Sequence, residues 1–136
     1  MIVRQWPQRY ATHGIALLLA VLAVTGCGST SLLGPDADQG VEGVALIGPQ
    51  CPVQSEAMPC PDLPHSATIE VVEAGGGWVT RVRTGPDGRF RVGLEPGSYR
   101  LLPLSGDPFP VATNVDVGVS EGEWSSVTVR FDTGIR

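Results

Sequence analysis

Cys51, Cys60 and His65 lie in one short stretch and are the side-chain types that bind metals or act as nucleophile and base. A zinc site built from them would lack both a familiar ligand spacing and an apparent fourth ligand. The cysteines by themselves are an even pair at close spacing, which in an oxidising compartment predicts a Cys51–Cys60 disulfide. Closing a loop of that size contributes about 2–3 kcal/mol on a chain-entropy estimate, and less where Pro52, Pro59 and Pro61 already stiffen it. A triad of His65, Asp62 and a serine has no nucleophile elbow to support it. Glu70 with Glu73, and Glu121 with Glu123, are close in sequence and read as solvating acids rather than glycosidase pairs. Gly75-Gly76-Gly77 precedes no helix and cradles no phosphate. Asp87 sits in a turn, where its role is local backbone bonding rather than calcium binding. The sequence therefore predicts no catalytic centre, no metal and no cofactor.

The remaining candidates are cationic. If the turn at 84–88 closes a hairpin, Arg83 lies opposite Arg89 and Arg81 opposite Arg91, all four on one outward face. Like charges directly opposed across strands are unfavourable and invite an explanation. Two remain open: acids such as Glu70 and Glu73 interleave to make a solvated, paired face, or the guanidiniums form an anion site. Such a site would suit lipid headgroups, phosphorylated wall polymers or an acidic partner.

These residues must be positioned by strands. From Val41 onward short alternating apolar runs recur between Gly, Pro, Asp and Asn, and no helical period is sustained. Strands are expected near 41–47, 66–73, 78–84, 89–94, 98–104, 111–119 and 124–132, giving an all-β, seven-stranded antiparallel sandwich. Alternation points Ala67, Ile69 and Val71 to the core, with Trp78, Thr80 and Val82, then Phe90, Val92 and Leu94. Tyr99 and Leu101 follow, then Val115, Val117 and Val119, then Val127, Val129 and Phe131. Trp124 needs a bulge or offset to join them. Pro86-Asp87-Gly88 and Pro96-Gly97 are turn signals, predicting a meander of paired strands from Trp78 to Leu104.

The opening residues have a different logic. Arg4 and Arg9 precede a continuous apolar run from Ile15 to Val24, the pattern of an export signal. Ten apolar residues make roughly 15 Å of helix, too short for about 30 Å of hydrocarbon. The run ends Leu22-Ala23-Val24-Thr25-Gly26-Cys27, which resembles the lipobox of bacterial lipoproteins. The resemblance implies cleavage after Gly26 and a thioether-linked diacylglycerol on Cys27, with palmitate-type acyl chains. Two chains anchor stably where one binds marginally. Residues 1–26 are thus an expected signal peptide, 27–40 a lipidated flexible tether, and 41–136 the domain. Loss of the signal removes two of nine basic residues and no acid, taking the formal charge from −5 to −7 and disfavouring nucleic acid as a partner.

"PDGRFRVGLEPGSYRL", residues 86–101, resembles the signature of carboxypeptidase regulatory-like domains, with "GVEGV" at 40–44 and the closing "SVTVRF" in support. That resemblance implies a transthyretin-like (prealbumin-type) sandwich that accompanies a catalytic or adhesive partner without catalysing anything itself. The His-x-x-Glu zinc motif of true carboxypeptidases is missing. Related collagen-adhesin modules crosslink through lysine, and this chain has none: all its basic residues are arginine. The expected protein is a non-enzymatic binding or structural module, lipid-anchored at the outer side of a bacterial cell membrane. Its partners would be the membrane, through Cys27, and an envelope protein or an anionic or glycan wall polymer. An accessory subunit of a transport or secretion complex is the alternative, with a small envelope hydrolase behind it.

Overall fold

The computed structural model describes residues 32–34 and 36–136. The expected signal peptide, the cleavage site and Cys27 lie outside the described residues. Among the described residues the chain is all strand and loop, with no helix. The strands are β1 (Gly40–Gly48), β2 (Leu63–Pro64), β3 (Thr68–Glu73), β4 (Trp78–Arg83), β5 (Arg89–Gly93), β6 (Gly97–Pro103), β7 (Val111–Ala112), β8 (Val115–Val119) and β9 (Trp124–Asp132).

They form two sheets. In the first, β1 is central: β9 runs parallel along one side, and β5 and then β2 run antiparallel along the other. A short β7 pairs with the end of β9. The second sheet has the order β4-β3-β6-β8 and is antiparallel throughout. The inner faces meet in one sandwich core, whose fully enclosed members include Phe131, Ile69, Leu94, Leu101, Val41, Val71 and Val129. Strand alternation supplies these residues from both layers, as a half-buried sheet requires. In β1 the inward series is Val41, Gly43, Ala45 and Ile47. A Cβ at Gly43 would lie 2.2 Å from the Val127 carbonyl oxygen, so only glycine fits beside β9 there.

The seven expected runs coincide with strands, but the strands number nine among the described residues, and the sandwich is not antiparallel throughout because β1 and β9 run parallel. The run at 111–119 is two strands in different sheets: β7 pairs with β9 and β8 with β6. β2 is an addition, two residues held against Leu46 and Ile47. The meander from Trp78 to Leu104 does not form. β4 pairs with β3, β5 with β1, and β6 with β3 and β8, so the chain crosses between layers at both turns. The first turn still forms locally: Gly88 takes φ 74°, its N–H donates to the Gly85 carbonyl, and Asp87 accepts from the Arg89 N–H. A turn motif fixes a change of direction, and β1 was the better partner for β5.

Trp78 is not where alternation placed it. In the β3–β4 pair the register shifts between Val71 and Val72, so Val71 faces Thr80 and Val72 faces Trp78. The extra residue sends Val79 toward the core and leaves Trp78 65% exposed. The β1–β9 register, by contrast, runs without a break from Gly40↔Trp124 to Gly48↔Asp132. No offset turns Trp124 inward, and it stays on the outer face.

The segment expected as a free tether is docked over its described part. Leu32 bridges Leu94, and the Leu33 N–H donates to the Gly93 carbonyl. Gln39 is buried, donating from its amide to the Leu94 carbonyl and accepting from the Gly122 N–H.

Candidate binding face and distal loops

Strand topology separates the four candidate arginines. Arg81 is on β4 and pairs with Glu70, its cross-strand neighbour on β3. Arg91 is on β5 in the other sheet, opposite Glu42 of β1, with its Nε 3.6 Å from the carboxylate. Arg89 lies 3.9 Å from Asp87, a separation that solvent largely screens. Arg83 ends β4 and has no ion-pair partner among the described residues. The expected opposition of Arg83 with Arg89 and Arg81 with Arg91 therefore does not occur. It required a β4–β5 hairpin, and each of those strands instead finds a partner carrying a glutamate.

What the structure does assemble is the outer face of the first sheet. Residues of one parity on adjacent strands share a face, which brings Arg89 and Arg91 of β5 beside Glu42 and Val44 of β1 and Ser126 and Thr128 of β9. They line an open groove of about 860 Å³. Arg91 reaches along this face to stack on Trp124, its guanidinium carbon 3.7 Å from the ring centroid. The stack and the Glu42 contact hold the guanidinium in a defined plane. The groove thus offers two arginines, two hydroxyls and an acid over an apolar floor, a surface for hydrogen bonding and charge recognition. Sequence reading picked out Arg89 and Arg91; it missed Trp124, Ser126 and Thr128 because their place beside β1 and β5 depended on the parallel β1–β9 pairing.

The loops sort by end. Where the described N-terminal arm meets the sandwich stand the turns 74–77, 94–96 and 120–123. At the other end are the 49–62 loop, the 84–88 turn, the 104–110 loop and the tail from Thr133. Cys51 and Cys60 are disulfide-bonded in the first of these, with Cα atoms 6.0 Å apart. Most exposed large apolar side chains sit at that far end: Val53, Met58, Leu63, Leu104, Phe109, Val111 and Ile135. The tail is fixed there by the Thr133 N–H on the Gly48 carbonyl and by Arg136 on Asp132. Arg136 and the Gly134 N–H together hold the Asp132 carboxyl down to about 2.

His65 is half-buried against Phe131, ring centroids 4.7 Å apart, and its backbone bonds to Ala45 and Thr84. It is a packing residue rather than a solvated loop side chain. Among the described residues no cluster of three His, Cys, Asp or Glu side chains could hold a metal ion. No known protein family matches the chain, and no curated protein matches it.

Proposed function

We propose that the protein is an extracytoplasmic lipoprotein of the bacterial envelope, held to its membrane by a diacylglycerol on Cys27. Its body is a prealbumin-type sandwich related to carboxypeptidase regulatory-like domains, with seven principal strands and the short β2 and β7 as accessories. It works as a non-catalytic binding module. The observation that carries this reading is the polarity of the sandwich. The arm leading back toward Cys27 meets one end, while the stapled 49–62 loop and most exposed apolar side chains lie at the other. Nine residues of β1 separate those ends by roughly 30 Å. An anchor at Cys27 then presents the far loops away from the bilayer, toward an envelope partner, with the Arg89–Arg91 groove along one flank. The disulfide supports an oxidising compartment, and the mature charge of −7 carries no basic surplus for nucleic acid.

The test replaces the anchor and nothing in the sandwich. Cys27→Ser is expected to move the protein from the membrane fraction to the soluble or precursor fraction with the Cys51–Cys60 bond retained. Unchanged membrane retention of Cys27→Ser would remove the lipid reading. Loss of binding to envelope material in Arg89→Gln/Arg91→Gln, with folding intact, would assign the groove to an anionic ligand. Binding that instead follows Phe109 and Met58 would assign the far loops to a protein partner and favour the accessory-subunit reading.

A further inference from the structure

Each sheet of an open sandwich ends in strands with one unpaired side, and such sides pair with other chains unless something blocks them. The β9 edge is open along most of its length, with β8 of the other sheet approaching it at Ser125, whose hydroxyl donates to the Gly118 carbonyl. In the β1–β9 ladder the Gly40 N–H donates to the Glu123 carbonyl and the Thr133 N–H to the Gly48 carbonyl. This phase commits the backbone groups of Ser125, Val127, Val129 and Phe131 to β1. The N–H and C=O of Trp124, Ser126, Thr128 and Arg130 point the other way. Beyond them β7 covers only Phe131 and Asp132. The strand has no proline, lysine or bulge along these residues.

The side chains along it are complementary to themselves. An antiparallel two-fold centred on Val127 sets Trp124 against Arg130 of a second copy and Ser126 against its Thr128. Arg130, already paired with Asp62 of its own chain, comes to the side of a ring that Arg91 stacks on; hydroxyl meets hydroxyl, and the outward backbone groups of residues 124–130 find partners. The other edges fail this test. Self-pairing of β4 or β5 would bring Arg81 and Arg83, or Arg89 and Arg91, against their own copies. The end of β5 is already taken by Leu33. β8 offers only five residues, centred on Val117, too short an edge to match the seven residues of 124–130.

We propose that β9 is a self-association edge, through which two copies pair antiparallel over residues 124–130 and join their first sheets. The two Arg89–Arg91 grooves then lie on one continuous face. This stands apart from the anchoring proposal, since it needs no lipid.

Register-specific crosslinking tests it in the full chain, in cells that make it. Directly bonded antiparallel neighbours have Cα atoms about 5.5 Å apart, within disulfide range. Coexpressed Ser126→Cys and Thr128→Cys chains are expected to give a disulfide-linked dimer, while Ser126→Cys alone gives little. No dimer, or equal yield from Ser126→Cys alone, would overturn the proposal. So would a crosslinked product containing one copy and a different protein. A second variant guards against misfolding. Thr128→Pro removes an N–H that β1 does not use, and should leave the fold intact while weakening association at least tenfold, roughly the loss of two backbone hydrogen bonds per dimer plus a ring in the interface. A folded Thr128→Pro chain that self-associates like the wild type would also overturn it.

Discussion

Thr84 is buried at the point where the chain leaves the second sheet for the first. Its hydroxyl accepts from the Ala67 N–H and donates to the His65 carbonyl, each at 2.7 Å. Its own N–H donates to the Ala67 carbonyl. One side chain thus ties the crossover to the segment between β2 and β3. Thr84→Val keeps the shape and removes the hydroxyl, leaving a buried donor and an acceptor without partners. Each orphaned group costs about 1–3 kcal/mol, offset by roughly 0.8 kcal/mol for the added apolar carbon. The expected loss is about 1–5 kcal/mol, read as a lower urea midpoint at unchanged slope. In thermal unfolding it is a Tm drop of roughly 5–30 °C for a domain of this size. Thr84→Ser retains both bonds and should cost only about 1 kcal/mol for the lost methyl. If Thr84→Val unfolds within about 0.5 kcal/mol of the wild type, or Thr84→Ser is as damaged as the valine, the hydroxyl does not clamp the crossover and the reasoning fails.

Other consequences are open to measurement. Cys51→Ser/Cys60→Ser should lower stability by no more than about 2–3 kcal/mol, because the loop is exposed and proline-stiffened; urea unfolding with and without reductant measures it. Arg91→Gln should cost about 0.5–1 kcal/mol and shift tryptophan emission, since the cation over Trp124 is lost; a spectrum identical to wild type would contradict the stack. The Asp132 carboxyl is held at about 2, below its unfolded value near 3.9, so its contribution is complete above pH 4 and disappears as pH falls through 2. The urea midpoint of Asp132→Asn should therefore vary less over that window than the wild type's.

How much was legible follows from what each feature depends on. Strand positions rest on alternation within a few residues, and Ile69, Val71, Phe90, Val92, Tyr99, Leu101, Val129 and Phe131 all reach the core as the pattern indicates. The Pro86-Asp87-Gly88 turn is equally local and forms with the expected positive φ at Gly88. Pairing is not local. Whether β5 returns to β4 or crosses to β1 depends on which distant strand offers Gly43 and Ala45 for packing, and the turn is compatible with both. Trp78 was misplaced by a single extra residue in β4, which alternation cannot detect because it inverts the face without changing the composition. The groove was half legible for the same reason: Arg89 and Arg91 are visible as a cationic pair, whereas Ser126, Thr128 and Trp124 join them only through a parallel partner eighty residues away. The Cys51–Cys60 bond was legible, since an even pair at close spacing in an oxidising compartment reads as a disulfide.

Mass spectrometry of the protein extracted from its own membranes tests the anchoring claim most directly. The account predicts a chain lacking residues 1–26, with Cys27 at the amino terminus and heavier by a diacylglycerol. A chain that retains residues 1–26, or a Cys27 carrying a free thiol, would contradict it.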